Sequence, residues 1–146
     1  MLLQAVVPAV RRELFPNAYV DIAIAVLERD GSVLSTCINA ASVALVEAGI
    51  EMLDIPLACS ALLAPSRDTF LMDPSLAELE AKDSSMSATK QDVTQFTMVF
   101  LPRLNQLSQL HLTGACSAEL LNEALVLGTD GVRAIHEEII RPVLLQ

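Results

Sequence analysis

Three cysteines, two histidines and one small group of carboxylates are the side chains here that could carry chemistry. Cys37, Cys59 and Cys116 are odd in number and form no C-x-x-C pair. Their spacing predicts reduced, mostly buried thiols in an intracellular protein, not a disulfide framework or a zinc knot. His111 and His136 are far apart in sequence, and neither has a Cys, His or Asp at a metal-ligand interval. Both read as surface or internally satisfied histidines. Glu78, Glu80 and Asp83 could converge on a cation, but a solvated acidic face is the simpler reading. The chain contains no GxGxxG, Walker A or GxSxG motif, so nucleotide cradles and serine nucleophile elbows find no support.

The element that must position anything functional is the stretch from Val20 to Met52. Val20, Ile22, Ile24 and Val26 alternate with Asp21, Ala23, Ala25 and Leu27, the period of a half-buried strand. Asp30-Gly31 reads as a primed hairpin turn, and Ser32 to Cys37 as a short returning strand. The small residues Ala40, Ala41, Ser42 and Ala44 then predict a helix lying close to a sheet, with Gly49 ending it in a left-handed cap.

Before this unit, Leu3, Val6, Val7, Val10 and Leu14 predict one amphipathic helix over residues 2–14. A helix opening almost at Met1 looks like a chain entered midway. After it, the uncharged Ile55 to Pro65 predicts a buried strand, and Thr69 to Met72 a short partner. LAELEA at 76–81 is expected to form about one helical turn, and Lys82 to Asp92 a mobile loop. Val93–Leu101 and Gln106–Leu112 read as a hairpin. Ser117 is a natural N-cap for a long helix reaching Arg141, ended by Pro142. Within it, Gly128 and Gly131 indicate either close backbone approach or a break near Thr129.

Composition narrows the function. The chain has 146 residues, is 53% hydrophobic and only 3% aromatic, so its core is aliphatic and part of that surface is expected to face a partner. The net charge is -9, against a protein that grips nucleic acid unaided, since phosphate binding rests on clustered Lys and Arg. Arg11-Arg12 is the only adjacent basic pair. The start has no signal-peptide pattern, and Gly31 to Val46 is too polar and too short to span a bilayer.

The segment DGSVLSTCINAASVALVEAGIEMLDI resembles the second half of the RNase PH fold. In active members a stretch D-G-G-T-R-T-A-x-I-T-G-A precedes the same small-residue helix and then A-G-I/M-P-M-x-D. Asp30, Gly31, Ile38, Ala41, Ala44, Leu45, Ala48, Gly49, Met52 and Asp54 stand in register with that pattern. The resemblance is specific from Asn17 to Leu63. Further on, LMDPSLAELEA and VFLPRLNQLSQL are similar to the mRNA-transport-regulator type of RNase PH-like subunit in the eukaryotic exosome ring. The resemblance implies an α+β fold, a mixed sheet with helices packed on one face, with residues 1–146 forming its C-terminal portion and the N-terminal half absent.

The departures from the family carry the functional expectation. Phosphorolytic members bind phosphate with the Gly-Thr-Arg of that loop; here the positions are Ser32, Val33 and Leu34. Leucine offers neither the charge nor the forked donors of a guanidinium. Active members also carry a catalytic Asp about seven positions before the later Pro. That position is Gln95, with Asp92 three residues earlier, and an amide cannot serve as a carboxylate acid or base. The resemblance thus implies a non-catalytic ring subunit without a cofactor or metal, the Asp73 to Asp92 connection being a contact element. Its partners would be the other RNase PH-like subunits of a hetero-hexameric ring, the cap subunits, and RNA passing through the channel, with no membrane. It would reside in nucleus and nucleolus, and also in the cytoplasm. The alternative is a phosphate-dependent 3′ to 5′ exoribonuclease, and the blandest an unrelated α+β binding module.

Overall fold

The uncharged run after Ile55 becomes the central strand of the molecule, whose computed structural model describes residues 1–64, 69–79 and 94–145. Strand β1 (Leu57–Ala64) pairs with β2 (Thr69–Met72) on one side and β3 (Thr94–Leu101) on the other. Strand β4 (Gln106–Thr113) pairs with β3, with a register shift at Val99/Phe100. The order is β2-β1-β3-β4, and every pairing among the described strands is antiparallel, so the sheet is not mixed as expected. The strand and hairpin boundaries otherwise fall where the apolar runs and Pro102 place them.

Helices cover both faces rather than one. Helix α1 is Leu2–Val6 and α2 is Val33–Glu47. Helix α3 (Ala118–Ile135) continues through a π-helical turn, His136–Ile140, into α4 (Arg141–Leu144). Leu57, Cys59, Ala61, Leu63, Phe96 and Met98 pack with Ala124 and Val132 of α3 on one face. On the other, Ala58 and Val99 pack with Ile38 of α2 and Ala5 of α1. Leu57, Leu63, Phe96 and Met98 are fully buried, each worth about 1.5–3 kcal/mol relative to exposure.

The expected strands at Val20–Leu27 and Ser32–Cys37 do not form. Residues 18–30 have no ladder, and Val20, Val26 and Leu27 are 49%, 55% and 97% exposed. The segment runs over the outer sides of α1 and α2, which separate it from the sheet, so its alternation has no strand to pair with. Val33–Cys37 is helical instead, with Ser32 as the left-handed residue before it. Ser35, Ile38, Ala41, Ser42 and Leu45 are buried at steps of three and four, a helical period that outweighs the local β propensity.

Three further differences trace to proline and glycine. The expected helix over 2–14 stops at Val6, because Pro8 lacks the N–H an α-helix would need there. A 3₁₀ turn, Val7–Ala9, follows, and Val10 bridges Met52. Pro142 does not end the last helix. The preceding turn widens to the π form, and the helix resumes with proline in its first turn, where a missing donor costs least. Gly128 and Gly131 mark close approach, not a break. A Cβ at Gly128 would stand 2.3 Å from Met98 Sδ and 3.2 Å from Phe96 Cε1. Gly128→Ala is therefore expected to lower stability, by up to about 2 kcal/mol. The overpacking cost of about 1–3 kcal/mol exceeds the about 1 kcal/mol of helix propensity gained. A lower urea midpoint at unchanged slope would register it.

Candidate functional site

The loop Asp30–Leu34 leads into the amino end of α2. Gly31 (φ 74) and Ser32 (φ 37) are left-handed. The hydroxyls of Ser35 and Thr36 both donate to Ser32 O, at 2.7 and 3.3 Å. The loop is docked on the 73–76 segment. Ser32 Oγ donates to Pro74 O at 3.4 Å, and Asp30 Oδ1 accepts from Leu76 N at 3.0 Å. The expected helical turn is present at 76–79, opened by Ser75 and Glu78 as a capping pair. Glu78 Oε2 accepts from Ser75 N and Oγ at 2.8 and 2.9 Å. These bonds hold the Glu78 carboxyl below its ordinary range, with Asp30 opposing. The carboxyls of Asp30 and Glu78 thus stand beside the amino end of α2. Val33 lines a recess of about 350 Å³ with Ile24, Leu27 and Cys37. Leu34 turns inward against the Ala5, Ile38, Ala58 and Val99 cluster.

Gln95 sits on β3 between Leu62 and Thr113. Strand alternation puts it on the α2 face with Thr97 and Val99. A buried hydroxyl chain reaches that face from α2. Ser60 Oγ bonds Ser35 Oγ at 3.2 Å and Thr97 Oγ1 at 3.0 Å. The Ser32–Leu34 loop and Gln95 therefore lie on the same side of the sheet, where the hydroxyl chain links α2 to Thr97. Ser35, Ser60 and Thr97 were not singled out from sequence. Their one signal is Ser60, a hydroxyl inside an uncharged run.

The remaining chemical residues stay apart. His111 lies on β4 near Thr113, and His136 lies in the π turn beside Glu137 at 3.5 Å. Among the described residues, no three His, Cys, Asp or Glu side chains are grouped as a metal site. Glu80, Asp83, Asp92 and the loop Lys82–Asp92 lie outside the described residues. No helix among the described residues is long and apolar enough to cross a membrane. All three cysteines are free. Burial, with help from the Asp73 charge, pushes the Cys59 thiol up to about 12. The unfolded thiol ionises near 9.0, so above that pH the unfolded state sheds a proton that the folded state keeps. Stability should therefore fall as pH rises from about 9 to 12. A Cys59→Val variant should lack this component in alkaline denaturation curves.

Comparison with known proteins gives the fold a name. Residues 1–51 match the model of the 3′ exoribonuclease family, domain 1. The solved structure of rice Rrp46 superposes with a TM-score of 0.63, covering 81% of this chain and 49% of that one, at 24% identity. The chain has an RNase PH-like fold. It is 35% identical over 139 residues to the exosome complex component RRP41 homolog of Arabidopsis thaliana, covering 95% of this chain and 53% of that protein. It is 33% identical over 147 residues to human exosome complex component MTR3, covering 99% and 48%. The Rrp41 exosome component of Nitrosopumilus maritimus is 31% identical, covering 94% and 51%. The RNase PH-like chain spans about half the length of the curated relatives it matches.

Proposed function

We propose that this chain serves as a non-catalytic subunit of an RNA exosome ring, of the mRNA-transport-regulator type, contributing interface geometry to 3′ to 5′ RNA processing. The relatives named as exosome components support membership. Partners would be the other RNase PH-like subunits, arranged as a hexamer with cap subunits. RNA would pass through the assembled channel to a nuclease elsewhere. Nucleus and nucleolus, with a cytoplasmic pool, are the compartments this work requires. Residues 1–146 would act as the C-terminal portion of the complete fold.

One observation carries the loss of turnover. Where a phosphate-binding arginine would stand, Leu34 is committed to the core cluster of Ala5, Ile38, Ala58 and Val99. A leucine packed there gives phosphate no donor and no charge. Gln95, on the same side of the sheet, cannot exchange a proton as a carboxylic acid would. The test incubates the chain with its ring partners, RNA and orthophosphate. No nucleoside diphosphates above the level of the partners alone is the expected result. Diphosphates whose yield falls when Gln95 is replaced by alanine would favour the exoribonuclease reading instead. Purification at native levels without any ring subunit would count against membership.

A further inference from the structure

Residues 19–27 carry a strand's alternation without a strand's partner. Between 19 and 29 no backbone hydrogen bond reaches another described residue, and none of these residues takes a positive φ. Their N–H and C=O groups therefore form an open row, a template for a further strand. The side chains along it are apolar and largely uncovered. Tyr19 is 95% exposed and Ile24 39%, beside the exposed Val20, Val26 and Leu27. Val20 and Ile22 border α1, and Ile24 and Val26 border α2, so the segment rests on the helices while its backbone edge stays open.

The order of these side chains reads nearly the same in both directions. Val20-Asp21-Ile22-Ala23-Ile24-Ala25-Val26 is symmetric about Ala23 apart from Asp21 and Ala25, and Tyr19 and Leu27 extend it with an apolar residue at each end. In an antiparallel pair with a second copy, a two-fold axis through Ala23 sets Ile22 across from Ile24, Val20 from Val26 and Tyr19 from Leu27. The six apolar side chains then meet only one another, the four aliphatic even-numbered ones on one face. Charge selects this register over its neighbours. An axis through Ala25 would set Ile22 against Glu28 and Val20 against Asp30, and one through Asp21 would oppose two like carboxylates. About Ala23, Asp21 faces Ala25 and no charge faces a like charge. We propose that segment 19–27 binds a second copy of this chain by antiparallel strand pairing about Ala23. A partner of another sequence places no demand on reversal symmetry, whereas a two-fold pair uses the same patch on both copies. Nine residues extend only about 30 Å, so the contact is smaller than the about 800 Å² per partner of a standard stable complex. The dimer is accordingly reversible, with main-chain bonds supplying much of its affinity. The inference does not rest on the ring assignment, and a chain that stays monomeric by itself would leave that assignment untouched.

Sedimentation velocity of the full chain over a concentration series is expected to show a monomer–dimer equilibrium with a Kd of roughly 10–100 µM. Ile24→Lys sets a cation against Ile22 of the other copy and should weaken the dimer at least tenfold. Leu27→Lys should do the same across from Tyr19. Leu27 is 97% exposed, so this second variant keeps its fold should Ile24→Lys melt early in a thermal scan. Ala23→Cys places two thiols on the axis. Under copper phenanthroline oxidation it should form a disulfide-linked dimer at least tenfold faster than Ala25→Cys, whose counterpart lies about 13 Å away along the strand. The unsubstituted chain, with its three free cysteines, gives the background rate. A chain that stays monomeric at the highest concentration, a dimer that folded lysine variants leave intact, or equal cross-linking at 23 and 25 would overturn the proposal.

Discussion

Asp54→Ala is expected to remove about 3 kcal/mol of stability. The residue is only 8% exposed. Its two oxygens accept three backbone N–H groups, from Ile55, Arg103 and Leu104. Two of these belong to the turn that joins β3 to β4, where Asn105 takes a left-handed φ of 54°. Carboxylate acceptors make stronger bonds than neutral ones, and each buried donor left without a partner costs about 1–3 kcal/mol. Arg103 and Leu104 are exposed, so water can replace some of the lost partners, which holds the sum near the lower end. Asp54→Asn is the informative control. It keeps one acceptor oxygen and turns an NH₂ donor toward N–H groups, so it should recover less than half of the loss. Urea denaturation measures the size. Hydrogen exchange gives the location, with protection at the Arg103 and Leu104 amides falling first. A loss below about 1 kcal/mol, with those amides still protected, would mean the turn holds itself.

The parts of the fold that could be read from sequence are those whose burial is decided locally. The run from Ile55 to Pro65 has no charge to place outside, so it had to be a buried strand. Ser117 had to cap, and its side chain does accept from Leu120 N. Residues 20–37 misled for a different reason. The alternation of Val20 to Val26 marks a strand only if another strand lies alongside, and here α1 and α2 intervene. Ser32–Cys37 carries β-prone residues on a helical burial period, and tertiary contacts outweigh so weak a propensity. Pro142 shows the same limit: the residue predicts a disturbance, and the structure absorbs it in a π turn that buries Ile140.

The candidate site was half legible. Leu34 and Gln95 could be named because a family pattern supplied the positions where an arginine and an aspartate would act. That Leu34 packs against a core cluster could not be read, since its neighbours Ala5, Ala58 and Val99 come from three separate elements. The hydroxyl chain Ser35–Ser60–Thr97 is likewise assembled from a helix and two strands. Its members are ordinary residues in sequence, made notable only by their joint burial.

Gly31→Ala tests whether the loop at the head of α2 is held by docking or only by its own backbone. An added Cβ would meet Pro74 O at 2.1 Å and Ser75 C at 3.0 Å. Both are backbone atoms, so neither can swing aside as a side chain might. The φ of 74° adds about 1–2 kcal/mol of left-handed strain for a residue with a Cβ. Expelling the loop would also break the bonds from Leu76 N to Asp30 and from Ser32 Oγ to Pro74 O. The expected total is about 2–4 kcal/mol. Gly49→Ala separates the two contributions. Gly49 has nearly the same φ, 72°, and nothing within 4 Å of an added Cβ, so it should lose only the strain. Denaturation midpoints of the two variants, measured side by side, should differ by at least about 1 kcal/mol. Equal losses would show that the Asp30–Ser32 loop gains nothing from the 73–76 segment. The position of the Ser32–Leu34 loop would then be set by α2 alone. A larger loss at Gly31 would instead tie that loop to the connection after β2, so a change in either segment would be felt by the other.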